Sequence, residues 1–121
     1  MSYGRIGVIG AMDSELAALI AALAQPARET VQGLAFHTGR LGAREVVLVR
    51  CGIGKVSAAR CTQVLIDRFA PAAVINTGIA GGLGAGLAVG DIVVADGLVQ
   101  HDFDAAPIGL SLIHISEPTR L

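Results

Sequence analysis

Glu15 is the side chain of this sequence with the strongest case for chemistry. It follows the apolar run Arg5–Ile9 and the turn at Gly10, and it falls in the first turn of a helix that Asp13 is predicted to cap. The amino end of a helix favours a carboxylate, and an open α/β sheet binds ligands beyond the carboxyl ends of its strands. A carboxylate at that edge can hold a water molecule and accept a proton from it. The alternative is an ordinary helix cap or a solvated carboxylate.

Two glycine-rich segments could present backbone N–H groups to a ligand. Gly78–Gly82 (GIAGG) follows the apolar run Ala73–Ile75, which places it at the same edge of a sheet. Gly52–Lys55 (GIGK) is not a phosphate loop, because Val49 stands where the motif needs its first glycine and Val56 where it needs Ser or Thr. We therefore interpret Gly52–Lys55 as a turn between a strand and a helix.

Alternating strands and helices must position these residues. The patterns predict strands at Arg5–Ile9, Leu34–Leu41, Glu45–Arg50, Ala73–Ile75 and Asp91–Val99, and helices from Asp13 to shortly before Pro26 and over Lys55–Phe69. The second and third strands form a hairpin that turns at Gly42 and Ala43, and Ala73–Ile75 is predicted to be buried. This order indicates an α/β fold with a central, mostly parallel but mixed sheet flanked by helices.

Composition narrows the possible partners. Hydrophobic residues make up 53% of the chain and aromatic residues 3%, so the core must be aliphatic. A net charge of -1 argues against nucleic acid or an anionic membrane as the main partner. The uncharged stretch Phe69–Gly90 contains too many glycines for a membrane helix, and no signal peptide is recognisable. We therefore expect a soluble, cytoplasmic protein.

Cys51 and Cys61 have the spacing of neither a metal site nor a disulfide framework, so they are expected to be buried thiols. No metal site is predicted.

Five segments in this order resemble one family. IGVIGAMDSEL, VRCGIGKVSAA, VINTGIAGGL, VGDIVVAD and HDFDAAPIG together are similar to the methylthioadenosine/S-adenosylhomocysteine nucleosidases of the purine and uridine phosphorylase superfamily. The resemblance extends from Arg5 to Gly109. It implies a nucleoside phosphorylase-like fold and hydrolysis of the N-glycosidic bond of both nucleosides, giving adenine and a thio-ribose, without a cofactor.

The same resemblance implies roles for individual residues. Glu15, in the family's GAMxxE motif, would position and deprotonate the attacking water. The implied pocket residues are Met12, Ile53, Ile79, Ala80 and Gly81 of the same subunit and, across a homodimer interface, Ala105 and Ile108. Ile79 replaces a residue that usually carries a hydroxyl group, and Ile108 stands where Phe is common. The first change puts one hydrogen bond to the water or sugar in doubt, and the second removes an aromatic face.

The resemblance stops at Gly109. We therefore predict that residues 1–109 are the N-terminal half of a nucleosidase domain, and that Leu110–Leu121 are a tail of another kind, similar to a translated sequencing adapter. The family's ribose-binding Met-Glu pair and the aspartate that protonates adenine have no counterpart in the 121 residues. The truncated chain alone is therefore expected to be inactive.

Three other functions remain open at this stage. A phosphorolytic relative would use phosphate instead of water, but such relatives carry a G-D-P-x-R turn where this sequence has GAMDSE, and a carboxylate there repels phosphate. A futalosine-type nucleosidase is a second possibility. A non-catalytic nucleoside-binding fragment is the third.

Overall fold

The computed structural model describes residues 4–102 and 119–120. The chain divides into two compact units, Met1–Ala80 and Gly81–Leu121. The first contains a five-stranded sheet and two helices, and the second contains a pair of very short strands. The predicted boundary at Gly109 lies outside the described residues.

The first unit is built around a mixed sheet in the order β2-β3-β4-β1-β5. Strand β1 runs parallel to both β4 and β5, whereas β3 is antiparallel to β2 and β4. The elements are β1 (Ile6–Gly10), α1 (Asp13–Ala21), β2 (Ala24–Val31), β3 (Leu34–Leu41), β4 (Arg44–Arg50), α2 (Lys55–Phe69) and β5 (Ala73–Asn76). The predicted mixed sheet with flanking helices is confirmed, with two of these four pairings parallel.

The two helices cover opposite faces of the sheet. Successive side chains of a strand point to opposite faces, and in β4 Val47 and Val49 belong to the cluster that contains Leu65 of α2. Their neighbours Val46 and Leu48 pack in the cluster that contains Leu16 of α1. A strand with helices on both sides needs apolar residues at every position, which is why β4 has a continuous apolar run.

Strand β2 was not predicted, and Pro26, taken to mark the end of a helix, lies inside it. Helix α1 already ends at Ala21. Strand β2 is a largely exposed edge strand, so its sequence lacks the apolar alternation that identifies a half-buried strand. Its register shifts between Ala24 and Ala27, and the edge tolerates Pro26 at this irregularity.

The hairpin predicted at Gly42 and Ala43 is confirmed. Strands β3 and β4 pair up to Leu41 and Arg44, leaving a two-residue loop in which Gly42 has a positive φ of 59°. A second two-residue turn joins β2 to β3, where Gln32 and Gly33 both have positive φ.

Two strand predictions were wrong in part. The strand predicted over Asp91–Val99 is only β6 (Val93–Val94), which pairs antiparallel with β7 (Thr119–Arg120). Among the described residues, the ladder consists of the pairs Val93–Arg120 and Val94–Thr119. The predicted strand Ala73–Ile75 exists within β5 but is exposed rather than buried, because β5 is an edge strand.

Among the described residues, no helix has both the length and the apolarity to cross a bilayer.

Candidate active site

Three loops of the first unit meet at one edge of the sheet. Strands β4, β1 and β5 are parallel neighbours, so their carboxyl ends lie side by side. The ladders continue past the strand ends, where the Cys51 N–H donates to the Gly10 carbonyl (2.8 Å) and the Thr77 N–H to the Ile9 carbonyl (2.9 Å). This edge is where a parallel α/β sheet binds its ligands.

Four of the predicted pocket residues lie in those loops. Met12 follows β1, Ile53 follows β4, and Ile79 and Ala80 follow β5. Met12, Ile53 and Ile79 are 37%, 78% and 81% exposed. Apolar side chains left open to solvent at the ligand-binding edge are suited to cover an apolar part of a ligand.

Glu15 connects two of these loops through its carboxylate. Its Oε2 accepts hydrogen bonds from the N–H groups of Ala11 (2.7 Å) and Met12 (3.0 Å) in the loop after β1. Its Oε1 accepts one from the N–H of Ile79 (3.2 Å) in the loop after β5. The structure therefore brings the predicted carboxylate together with Gly78 and Ile79, the first two residues of the predicted glycine-rich turn.

These hydrogen bonds keep Glu15 ionised. The N–H groups of Met12, Ile79 and Ala11 hold the pKa of the Glu15 carboxyl below its ordinary value, the Met12 N–H having the largest effect, although partial desolvation acts in the opposite direction. N–H donors stabilise the charged form of a carboxylate. At neutral pH the site therefore presents a fixed negative charge. Oε1 accepts one hydrogen bond from the described residues, so its second lone pair can accept a proton from water.

Asp13 does not cap helix α1 as predicted. The N-cap is Met12, and Asp13 is the first helical residue. The Asp13 carboxylate instead pairs with Arg50 at 3.1 Å, and both side chains are well exposed. Such a pair contributes at most about 1 kcal/mol, but it joins the start of α1 to the end of β4. A charged pair between distant segments left no signal in the sequence.

A cleft of the first unit adjoins this edge, and Glu15 is not among its lining residues. It has a volume of about 450 Å³ and is lined by residues of α1, of β2 to β4 and of the loop after β4: Asp13, Leu16, Ile20, Arg28, Thr30, Gly33, Leu34, Ala35, His37, Arg50, Cys51 and Gly52. Sequence reasoning missed the cleft because one of its walls is the unpredicted strand β2. We place the candidate site at Glu15 rather than in this cleft, because three backbone donors fix that carboxylate.

The remaining predicted site residues fall elsewhere. Gly81 is exposed and belongs to the second unit. Ala105 and Ile108 lie outside the described residues.

The two cysteines are buried free thiols, as predicted, and burial raises the pKa of Cys61 to about 11. Within residues 4–102 and 119–120, no three His, Cys, Asp or Glu side chains are grouped as ligands of a metal ion would be.

Comparison with known proteins defines the family. The model of the phosphorylase superfamily matches residues 5–119, so the chain belongs to that superfamily. Within it, the chain is similar to the 5'-methylthioadenosine/S-adenosylhomocysteine nucleosidase of Shewanella pealeana, with 44% identity over 108 residues. That match covers 89% of this chain and 47% of the relative, so the chain spans about half the length of the curated relatives it matches.

Solved structures show the same similarity. The S-adenosylhomocysteine nucleosidase from Streptococcus pyogenes, in complex with 5-methylthiotubericidin, has a TM-score of 0.86 and 43% identity, covering 92% of this chain and 47% of that one. The corresponding nucleosidase from S. pneumoniae, with a transition-state inhibitor, has a TM-score of 0.84 and 46% identity over 89% of this chain and 47% of that one. The predicted family resemblance and nucleoside phosphorylase-like fold are confirmed.

Proposed function

We propose that a protein containing this chain hydrolyses the N-glycosidic bond of 5′-methylthioadenosine and S-adenosylhomocysteine. The observation that supports this most directly is the position of the Glu15 carboxylate. It accepts hydrogen bonds from backbone N–H groups in the loops after β1 and β5, at the ligand-binding edge. The solved relatives are nucleosidases bound to nucleoside analogues or inhibitors. A fixed carboxylate beside exposed apolar side chains fits a reaction between water and a nucleoside with an apolar substituent.

In the proposed reaction, Glu15 orients a water molecule and accepts its proton. The water oxygen attacks the anomeric carbon of the ribose while the bond to the adenine nitrogen breaks. The bonding electrons leave with adenine, which takes up a proton from a general acid that the second half of the enzyme would supply. The sugar develops positive charge in such a transition state, so an ionised carboxylate also stabilises it electrostatically. A pKa below the ordinary value ensures that Glu15 is charged before the substrate binds.

The neighbouring residues would shape the pocket. Met12 and Ile53 supply apolar surface, and the Ile79–Gly81 turn supplies backbone near the water and sugar. Because Ile79 has no hydroxyl group, the contact at this position is limited to its backbone and an apolar side chain. We also propose that Ala105 and Ile108 complete the pocket of a neighbouring subunit in a cytoplasmic homodimer.

A chimeric enzyme tests the role of Glu15. Residues 5–109 of this chain would be joined to the second half of the S. pyogenes nucleosidase, and adenine release from methylthioadenosine followed. We expect turnover without added phosphate, and a loss of about 100-fold to 10,000-fold in kcat for Glu15→Gln, because the amide cannot accept the proton of the water. Glu45→Gln, the same change at the opposite end of β4, is the matched control and should retain kcat.

Each other outcome points to a different function. Turnover that requires phosphate would identify a phosphorylase instead. A folded chimera that binds methylthioadenosine but releases no adenine would favour a nucleoside-binding module. Equal kcat for Glu15→Gln and Glu45→Gln would remove Glu15 from the mechanism.

A further inference from the structure

The turn after β5 passes unusually close to the Glu15 carboxylate at Gly78. A Cβ atom built on Gly78 would lie 2.9 Å from Oε1 of Glu15, 3.3 Å from its Cδ and 3.6 Å from its Oε2. The first distance is shorter than any ordinary contact between a carbon and an oxygen atom. Every residue other than glycine would therefore compete with the carboxylate for the same space.

Backbone conformation does not explain the glycine. Gly52 and Gly54 have positive φ values of 85° and 103°, a region that favours glycine, but Gly78 is not among the residues with positive φ. A left-handed backbone therefore does not require glycine at position 78, and the steric conflict with Glu15 is what a side chain would add.

We propose that Gly78 is a positioning residue for Glu15. Because Gly78 has no side chain, there is space beside it for Oε1 of Glu15. In this position Oε1 accepts a hydrogen bond from the N–H of the next residue, Ile79, at 3.2 Å. Oε2 is held separately by Ala11 and Met12, at a distance from Gly78 that an alanine would permit. Gly78 therefore controls one end of the carboxylate, the end that faces the loop after β5.

The Gly78→Ala variant of the 121-residue chain tests this by NMR. In the unsubstituted chain, the amide signals of Ala11, Met12 and Ile79 should all shift as Glu15 titrates. In Gly78→Ala, we expect Ile79 alone to lose this response, because Oε1 is displaced while Oε2 keeps its partners. Glu15→Gln identifies the titrating group, since Asp13 lies in the same first turn and pairs with Arg50.

Gly82→Ala is the matched control. Gly82 lies in the same glycine-rich segment, has no positive φ, and a Cβ there would make only an ordinary contact of 3.6 Å with Leu87. This variant should keep the titration response of Ile79. An unchanged response of Ile79 in Gly78→Ala would overturn the proposal.

The double variant Glu15→Ala/Gly78→Ala covers the case in which Gly78→Ala does not fold. Removing the carboxylate removes the conflict, so the double variant should fold with a Tm close to that of Glu15→Ala. If the double variant also fails to fold, the conflict lies with another group and the proposal is wrong.

The consequence for turnover rests on the proposed function. In the chimera, Gly78→Ala should lower kcat by about 100-fold with KM little changed, since a displacement of about 1 Å in a catalytic group has effects of this size. An inactive chimera with Gly78 in place would count against the proposed function alone. An active chimera that tolerates Gly78→Ala would count against the positioning role alone.

Discussion

At the scale of residues, Glu15 illustrates what a position in the sequence can and cannot indicate. Its place in the first turn after a strand indicated a carboxylate at the ligand-binding edge. The donors Ala11 and Met12 are local, but the hydrogen bond from Ile79 was not predictable, because Ile79 is 64 residues away along the chain. That contact depends on β1 and β5 being neighbours.

The hydrogen bonds of Glu15 should make stability depend on pH. Because the pKa of Glu15 is lower in the folded chain than its ordinary value of 4.5, the carboxylate stabilises the fold above pH 4.5. This contribution is lost as the pH falls through the folded-state pKa. We expect Glu15→Gln to be less stable than the unsubstituted chain at neutral pH, and the difference to shrink below pH 4.5.

Urea unfolding across this pH range measures the effect. The matched control is Glu45→Gln, whose carboxylate lies 3.9 Å from Arg5 at the other end of β4. A stability difference between Glu15→Gln and the unsubstituted chain that stays constant with pH would show that the backbone donors do not stabilise the charge.

At the scale of elements, helix α2 packs unusually closely on β1 at Gly7. A Cβ atom on Gly7 would lie 2.7 Å from Cδ2 of Leu65, and Leu65 is fully buried. Ala58, Cys61, Leu65 and Phe69 have the spacing of one helix face, and these residues of α2 pack in one cluster. The glycine opposite it gave no signal in the sequence.

Gly7→Ala should destabilise the fold by about 1–3 kcal/mol, because the buried Leu65 side chain has little room to move. The sign of this change in the free energy of unfolding is informative, because within a strand alanine is otherwise more favourable than glycine. Chemical denaturation measures the change. In a Leu65→Ala background, which removes the opposing methyl groups, the cost of Gly7→Ala should largely disappear. A cost equal in both backgrounds would contradict the proposed close packing.

At the scale of the whole chain, strand β5 leaves one edge of the large sheet exposed. It pairs with β1 alone among the described strands, and Val74 and Ile75 are 38% and 50% exposed. Unpaired N–H and carbonyl groups beside apolar side chains favour association between strand edges. Exposed apolar residues such as Leu83 and Leu98 in the second unit are a competing source of association.

We expect the chain to self-associate with rising concentration and Val74→Lys to reduce this, because a charge on an edge strand opposes pairing. Light scattering coupled to size-exclusion chromatography measures the effect. Val56→Lys, the same change at an exposed position of α2, is the control and should associate like the unsubstituted chain. If Val74→Lys associates as strongly as the control, the second unit and not β5 carries the association.

The sequence by itself determined the local features of this protein. Apolar runs and helical spacing located β1, β3, β4, α2 and the beginning of α1, because a strand or helix that packs on a core must repeat apolar residues with its own period. Many of the same residues carried the family resemblance, since the five ordered motifs lie within residues 5–109, a span that the superfamily model also matches.

Only the tertiary structure decided which segments are neighbours. Strand β2 and the exposure of β5 depend on their places at the two edges of the sheet, where burial no longer imposes an apolar pattern. The bond from Glu15 to Ile79 and the space left by Gly78 depend on loops that are distant in sequence. Periodicity records whether a residue is buried, whereas contacts between distant segments depend on strand order, which no local pattern encodes.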